Sequence, residues 1–215
     1  VCSSDLVDAS VGAKTGIDFK NFKNQIGLFN EPVGVFIHTE FLKTLAEREL
    51  RAGMAEVLKH YLIADKKSFF ILVKKLFPHQ DIQANIREIE WEELIRKNIA
   101  IKSKIVAKDK FETSERKALN FAHTIGHAIE TYLLNRGIKV LHGEAVAAGI
   151  ICETLISVNT GLLASSNFTG ISVLVSSLIP NLPSFRKQSI PAILRLIQHD
   201  KKILKIVNFL FLIFY

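Results

Sequence analysis

Apolar positions recur at three- and four-residue intervals through much of the chain, the spacing that collects side chains on one face of a helix. The clearest case runs from Glu47 to Ile63, where Leu50, Met54, Val57, Leu58 and Tyr61 form one stripe. Trp91 to Lys108 repeats it through Leu94, Ile95, Ile99, Ile101 and Ile105. A third helix is expected from about Ala118 to Leu134 and a fourth from about Gly143 to Asn159, with Gly161 as a stop signal. Shorter helices are expected after Ser165 and after Pro191. Residues 1–32, rich in Gly, Asn and Lys, read as loops, and the apolar run from Val33 to Ile37 reads as one strand. The pattern predicts a mostly α chain without internal repeats, its lone parallel-type strand being the edge of an α/β neighbour or part of a small α+β protein.

Composition narrows the class. A chain of 215 residues, 48% hydrophobic and 23% charged, suits a soluble globular domain with a sizeable core. Its two cysteines, Cys2 and Cys152, lack metal-site spacing, so neither a disulfide framework nor a thiolate zinc site is expected, and a reducing cytoplasm fits. The net charge of +7 is compatible with nucleic acid, an anionic membrane or a small anionic substrate. Basic residues are scattered among acidic ones without interleaved aromatics, which disfavours nucleic acid. The closing IVNFLFLIFY is ten residues long, too short for a bilayer span of about 20. No membrane partner is expected. With Val1 at the start, Met54 as the sole methionine and no signal-peptide features in VCSSDL, a fragment is expected.

Candidate chemistry concentrates in LNFAHTIGHAIE and LHGEAVAAG. His123 and His127 lie four apart on a predicted helix, so their imidazoles share a face and can converge on a metal or an anion. His142 begins the next helical segment. A catalytic zinc site takes three protein ligands and keeps a position open, and Glu56 in RAGMAEVLKH is a candidate carboxylate. The competing reading makes Glu56 and Lys59 an exposed i,i+3 ion pair. Lys102, Glu112, Arg116 and Asn120 lead into His123, and if the helix begins early Glu112, Arg116 and Asn120 share its face; Arg and Lys would hold phosphate or carboxylate. The alternative is a solvated charged helix. VDASVGAKTG and KNQIG place glycines near lysines but match no nucleotide-binding fingerprint.

Taken in order, VDASVGAKTGID, KNQIG, LKTLAERELRAGMAEVLKH, KSKIVAKDKFE, RKALNFAHTIGHAIE, LHGEAVAAG and HDKK resemble the 3-dehydroquinate synthases, from about Asp8 to Lys202. The resemblance implies a helical C-terminal metal- and substrate-binding domain, residues 46–215, preceded by a remnant of an NAD-binding α/β domain, residues 1–45. It implies zinc (or cobalt) ligands Glu56, His123 and His142, and gives His127 hydrogen bonding and proton transfer instead of ligation. Asp8, Asn24, Lys59, Lys102, Arg116 and Asn120 match substrate-contacting positions, Glu112 an active-site carboxylate, and Lys201 or Lys202 a contact to the substrate anion. Lys14, Lys23 and the stretch Phe41, Leu42, Lys43 and Thr44 match contacts to NAD.

The reaction implied converts a seven-carbon sugar acid phosphate into 3-dehydroquinate and phosphate in the shikimate pathway. A homodimer is the assembly implied for the full-length enzyme. The alternatives are another sugar-phosphate cyclase, a metal-dependent polyol dehydrogenase, and an inactive truncated relic. Ala13 and Ala122 stand where the resemblance has glycine. VCSSDL and the stretch after Lys202 depart from the pattern and read as foreign or frameshifted sequence. The 215 residues alone are expected to be inactive.

Overall fold

A computed structural model describes residues 11–19, 22–77 and 86–199. Two strands, β1 (Lys14–Phe19) and β2 (Phe22–Phe29), precede seven α-helices. These are α1 (Glu47–Ala64), α2 (Lys66–Leu76), α3 (Trp91–Lys108), α4 (His123–Leu134), α5 (His142–Asn159), α6 (Ser165–Leu178) and α7 (Ile190–His199). Short 3-10 turns cover Thr39–Thr44, Ile86–Glu88, Glu115–Asn120 and Lys187–Ser189. The mostly α architecture agrees with the periodicity, and the stripe Leu50, Met54, Val57, Leu58 and Tyr61 is buried as expected.

Three expectations require correction. The glycine- and lysine-rich segment read as loops contains an antiparallel hairpin, Lys14 pairing with Phe29, Gly16 with Gly27 and Phe19 with Phe22. Val33–Ile37 is not a strand: Val33 and Phe36 are fully exposed and the run pairs with nothing described. A strand exists through its partner, and a hairpin finds one locally, whereas Pro32 and Gly34 weaken an isolated run. The third helix does not start at Ala118. A 3-10 turn ends at Asn120, Ala122 turns left-handed at φ 67°, and α4 begins at His123. Helix α2 had not been predicted, although Asp65 caps it by accepting from the Ser68 amide at 2.9 Å.

Helix α5 occupies the middle of the packing. Val146, Ala147 and Ile150 join the larger apolar cluster with α1, α3 and α6, while Ala145 and Ala148 join a second with α4 and α7. A helix apolar on both sides is one enclosed by neighbours. Its glycines set how near they come. A methyl group on Gly143 would lie 1.9 Å from the Ala52 carbonyl oxygen of α1, and one on Gly149 would lie 2.0 Å from that of Ala122. Among the described residues no helix is long and apolar enough to cross a membrane.

Candidate metal centre

Close approach of α5 to α1 and α4 brings three ionisable groups together. Glu56 lies one turn beyond Ala52 on α1 and is fully buried, while His123 and His142 open α4 and α5. The Nε2 atoms of His123 and His142 stand 3.3 and 3.5 Å from Glu56 Oε1. On the far side of the carboxylate, Lys59 Nζ lies 2.5 Å from Oε2. Glu56 and Lys59 are 0% and 1% exposed in their side chains, which removes the reading as a surface ion pair. Burial opposes ionisation of Glu56, but Lys59 and the two histidines outweigh it and hold the carboxyl well below the usual range.

The second nitrogen of each histidine is already engaged. His123 Nδ1 lies 3.1 Å from the Phe121 carbonyl oxygen, which can only accept, so this nitrogen carries the proton. His142 Nδ1 lies 3.1 Å from Glu130 Oε2, a carboxylate that accepts in the same way. Both Nε2 atoms therefore turn their lone pairs toward the Glu56 side of the cluster, and outer carbonyl and carboxylate partners of this kind orient metal-binding histidines. Burial lowers the His123 pKa, with Lys59 adding to the effect, and so favours the neutral ring a metal requires. His127 is near as well: its ring centroid is 5.0 Å from that of His123 and 5.5 Å from that of His142. One donor atom from each of the three histidines falls within 4.8 Å of the others.

A polar loop leads into this cluster. Asp109, at the end of α3, accepts from the amides of Thr113, Ser114 and Arg116 at 2.9, 2.6 and 3.1 Å. Burial pushes its pKa up, but those amides prevail and hold it far below the usual carboxylate range. The loop folds back so that Asn120 donates to Glu112 at 2.5 Å. The predicted common helical face therefore does not exist: Glu112 is left-handed at φ 59°, and it meets Asn120 across a loop. Arg116 is buried and donates to the carbonyls of Lys110 at 2.6 Å and Gly12 at 2.8 Å, tying the loop to the residues before β1. Lys102 is buried too, so neither it nor Arg116 belongs to a solvated helix face.

The remaining expected residues divide. Leu42 is buried in the core, Phe41 is exposed, Lys43 pairs with Glu40 at 2.6 Å, and the Thr44 hydroxyl donates to the Phe41 carbonyl at 3.2 Å. Lys14 lies on β1, and Lys23 and Asn24 on β2. Asp8 and Lys201 lie outside the described residues.

Family profiles described as 3-dehydroquinate synthase N-terminal and 3-dehydroquinate synthase C-terminal match residues 4–52 and 53–203. The chain belongs to the 3-dehydroquinate synthase family. A relative named 3-dehydroquinate synthase from Prochlorococcus marinus (strain AS9601) is 36% identical over 200 residues, covering 92% of this chain and 53% of its own. Another of that name, from Lactococcus lactis subsp. cremoris (strain MG1363), is 44% identical over 157 residues, covering 73% and 42%. The chain thus spans about half the length of the curated relatives it matches. Among solved structures it resembles 2-epi-5-epi-valiolone synthase from Streptomyces hygroscopicus subsp. jinggangensis 5008 with NAD+ and Zn2+ bound. The TM-score is 0.72 at 25% identity, covering 94% of this chain and 55% of that one. It also resembles 2-deoxy-scyllo-inosose synthase complexed with carbaglucose-6-phosphate, NAD+ and Co2+, with a TM-score of 0.73, 25% identity and coverage of 94% and 53%.

Several residues of this family member escaped the sequence reading. Glu130 lies seven residues beyond His123, on the same helical face, a spacing that offered a signal. Glu144 is buried and accepts from Arg48 Nε and Nη2 at 2.6 and 2.8 Å, clamping the start of α5 to α1. Glu153, a lone carboxylate in the run ICETL, is buried; desolvation raises its pKa to about 7.

Proposed function

We propose that this chain is the metal- and substrate-binding half of a 3-dehydroquinate synthase. The reaction would convert 3-deoxy-D-arabino-heptulosonate 7-phosphate to 3-dehydroquinate and phosphate. The observation that carries this reading is the convergence of Glu56, His123 and His142, with both imidazole Nδ1 atoms held by acceptors. One anionic oxygen and two neutral nitrogens match the donor set of a catalytic zinc or cobalt ion, and a buried carboxylate beside two lone pairs favours a cation between them. Such an ion, held by Glu56, His123 and His142, would supply Lewis-acid polarisation of the oxygen on the carbinol carbon being oxidised. NAD supplies the hydride acceptor; its binding contacts include Lys14, Lys23 and the Phe41–Thr44 stretch.

The chain's own residues do the rest. His127 stands beside the ligand pair, its ring centroid 5.0 Å from that of His123, and would serve hydrogen bonding and proton transfer. Lys59 neutralises Glu56 and touches substrate. Lys102, Arg116, Asn120, Asp8, Asn24 and Lys201 position a multiply anionic substrate, and Glu112 is held by Asn120 as the active-site carboxylate. The reading carries with it a cytoplasmic enzyme and a homodimeric full-length protein.

Bound zinc should disappear in Glu56→Ala, His123→Ala and His142→Ala but persist in His127→Ala. The three-histidine grouping makes the opposite forecast, and loss in His127→Ala with retention in Glu56→Ala would establish it instead. Other sugar-phosphate cyclases form the second reading, favoured by the two structural neighbours, and product analysis separates them. The 215 residues assayed alone should release no phosphate with saturating NAD and zinc, because they span about half of the relatives' length.

A further inference from the structure

The start of α4 presents a problem that its own sequence does not solve. Its N-cap, Ala122, has no side chain able to accept from the orphan amides of the first turn, and it sits in the left-handed region at φ 67°, which an L-residue adopts only under strain. The next residue is His123, so any play in the Ala122 peptide swings that imidazole. The missing acceptor comes from another helix. Glu153 of α5, 2% exposed, reaches across so that its Oε2 accepts from the Ala122 amide at 2.8 Å and its Oε1 from the Ile125 amide at 3.4 Å. One turn earlier, Gly149 lets the backbone of α5 close on the carbonyl of the same residue. Helix α5 therefore holds Ala122 at both its amide and its carbonyl, while its own first residue is His142.

We propose that Glu153 is a positioning residue for the metal centre: from α5 it caps α4, holds Ala122 left-handed and so fixes the direction of His123 relative to His142. The proposal rests on the reading of Glu56, His123 and His142 as a metal site. Buried polar partners of ligands commonly change metal affinity by 10–100-fold on removal. Glu153→Ala should weaken Zn2+ binding, measured by competition with a chromophoric chelator, by at least about tenfold, and should change the visible absorption of bound Co2+. Glu153→Gln keeps a carbonyl oxygen for the Ala122 amide and should stay within about threefold of the parent. Ala122→Gly relieves the left-handed strain, so in the Glu153→Ala background it should recover most of the loss.

Amide hydrogen exchange in the metal-free protein gives a readout that does not depend on zinc. Exchange at Ala122 and Ile125 should quicken in Glu153→Ala; in Glu153→Gln it should hold at Ala122, which keeps an acceptor oxygen, but not at Ile125, which would face the side-chain NH2. If Glu153→Ala does not fold, Glu153→Gln decides: retained affinity and retained protection at Ala122 support the clamp, and a loss of either overturns it. Folded Glu153→Ala with unaltered zinc affinity, cobalt spectrum and exchange also overturns it. If the parent chain binds no zinc, the metal reading has failed, and exchange at Ala122 then decides the clamp by itself.

Discussion

The helical packing around α5 and the segment between β1 and α1 use apolar residues in opposite ways. Around α5 the apolar side chains are enclosed, and the carboxylates that go inside arrive with partners: Glu56 with Lys59 and the histidines, Glu144 with Arg48, Glu153 with two amides. In the earlier segment Leu28, Val33, Phe36 and Phe41 face solvent, at 76%, 112%, 100% and 77% exposure. In the first region each residue is constrained by several neighbours at once, so position carries energy. In the second, those four side chains bury little surface, although Leu42 of the same segment joins the core.

That contrast is open to direct attack. The largest effect is expected from Lys59→Ala in the metal-free protein, which leaves the Glu56 carboxylate buried without its ammonium partner. Breaking a buried pair costs roughly 3–5 kcal/mol, and urea denaturation should register it; a change below about 1 kcal/mol would mean water reaches the pair. Gly149→Ala comes next, at about 3 kcal/mol, because the added methyl meets backbone that has no flexible end to move. Gly137→Ala is its control. At φ 71° with nothing within 4 Å it carries only left-handed strain, about 1 kcal/mol.

A pH series sharpens the same comparison through Glu153. Its folded pKa, about 7 against an ordinary 4.5, means that the folded state holds the proton more tightly. That contribution is fully present below pH 4.5 and is lost as pH rises through 7. Between pH 5 and 8 the parent should lose on the order of 2 kcal/mol relative to Glu153→Gln, read from denaturation midpoints at each pH. A flat difference would place water at the carboxylate. Ala13→Gly and Ala122→Gly, at φ 58° and 67°, should each stabilise the chain by about 1 kcal/mol. The smallest effect belongs to the exposed run: Val33→Ser and Phe36→Ser should stay within about 0.5 kcal/mol of the parent.

Helices α1 and α3 were legible because each buries a stripe whose period is written along the chain, and that period survives whatever the neighbours are. The grouping of His123 and His127 was legible for the same reason, as was the likeness of the ordered motifs to one family. Tertiary structure decided the remainder. Only folding sets Glu56 within 3.5 Å of two imidazoles lying 67 and 86 residues downstream, and only folding shows that each Nδ1 already has an acceptor. The break at Ala122 ran against a continuous helical pattern, because a left-handed alanine is stable where α5 supplies both a close backbone and a carboxylate. Local periodicity reports the burial of one face; convergence, strain and the pairing of buried charge depend on contacts between residues far apart in the chain, which no local pattern encodes.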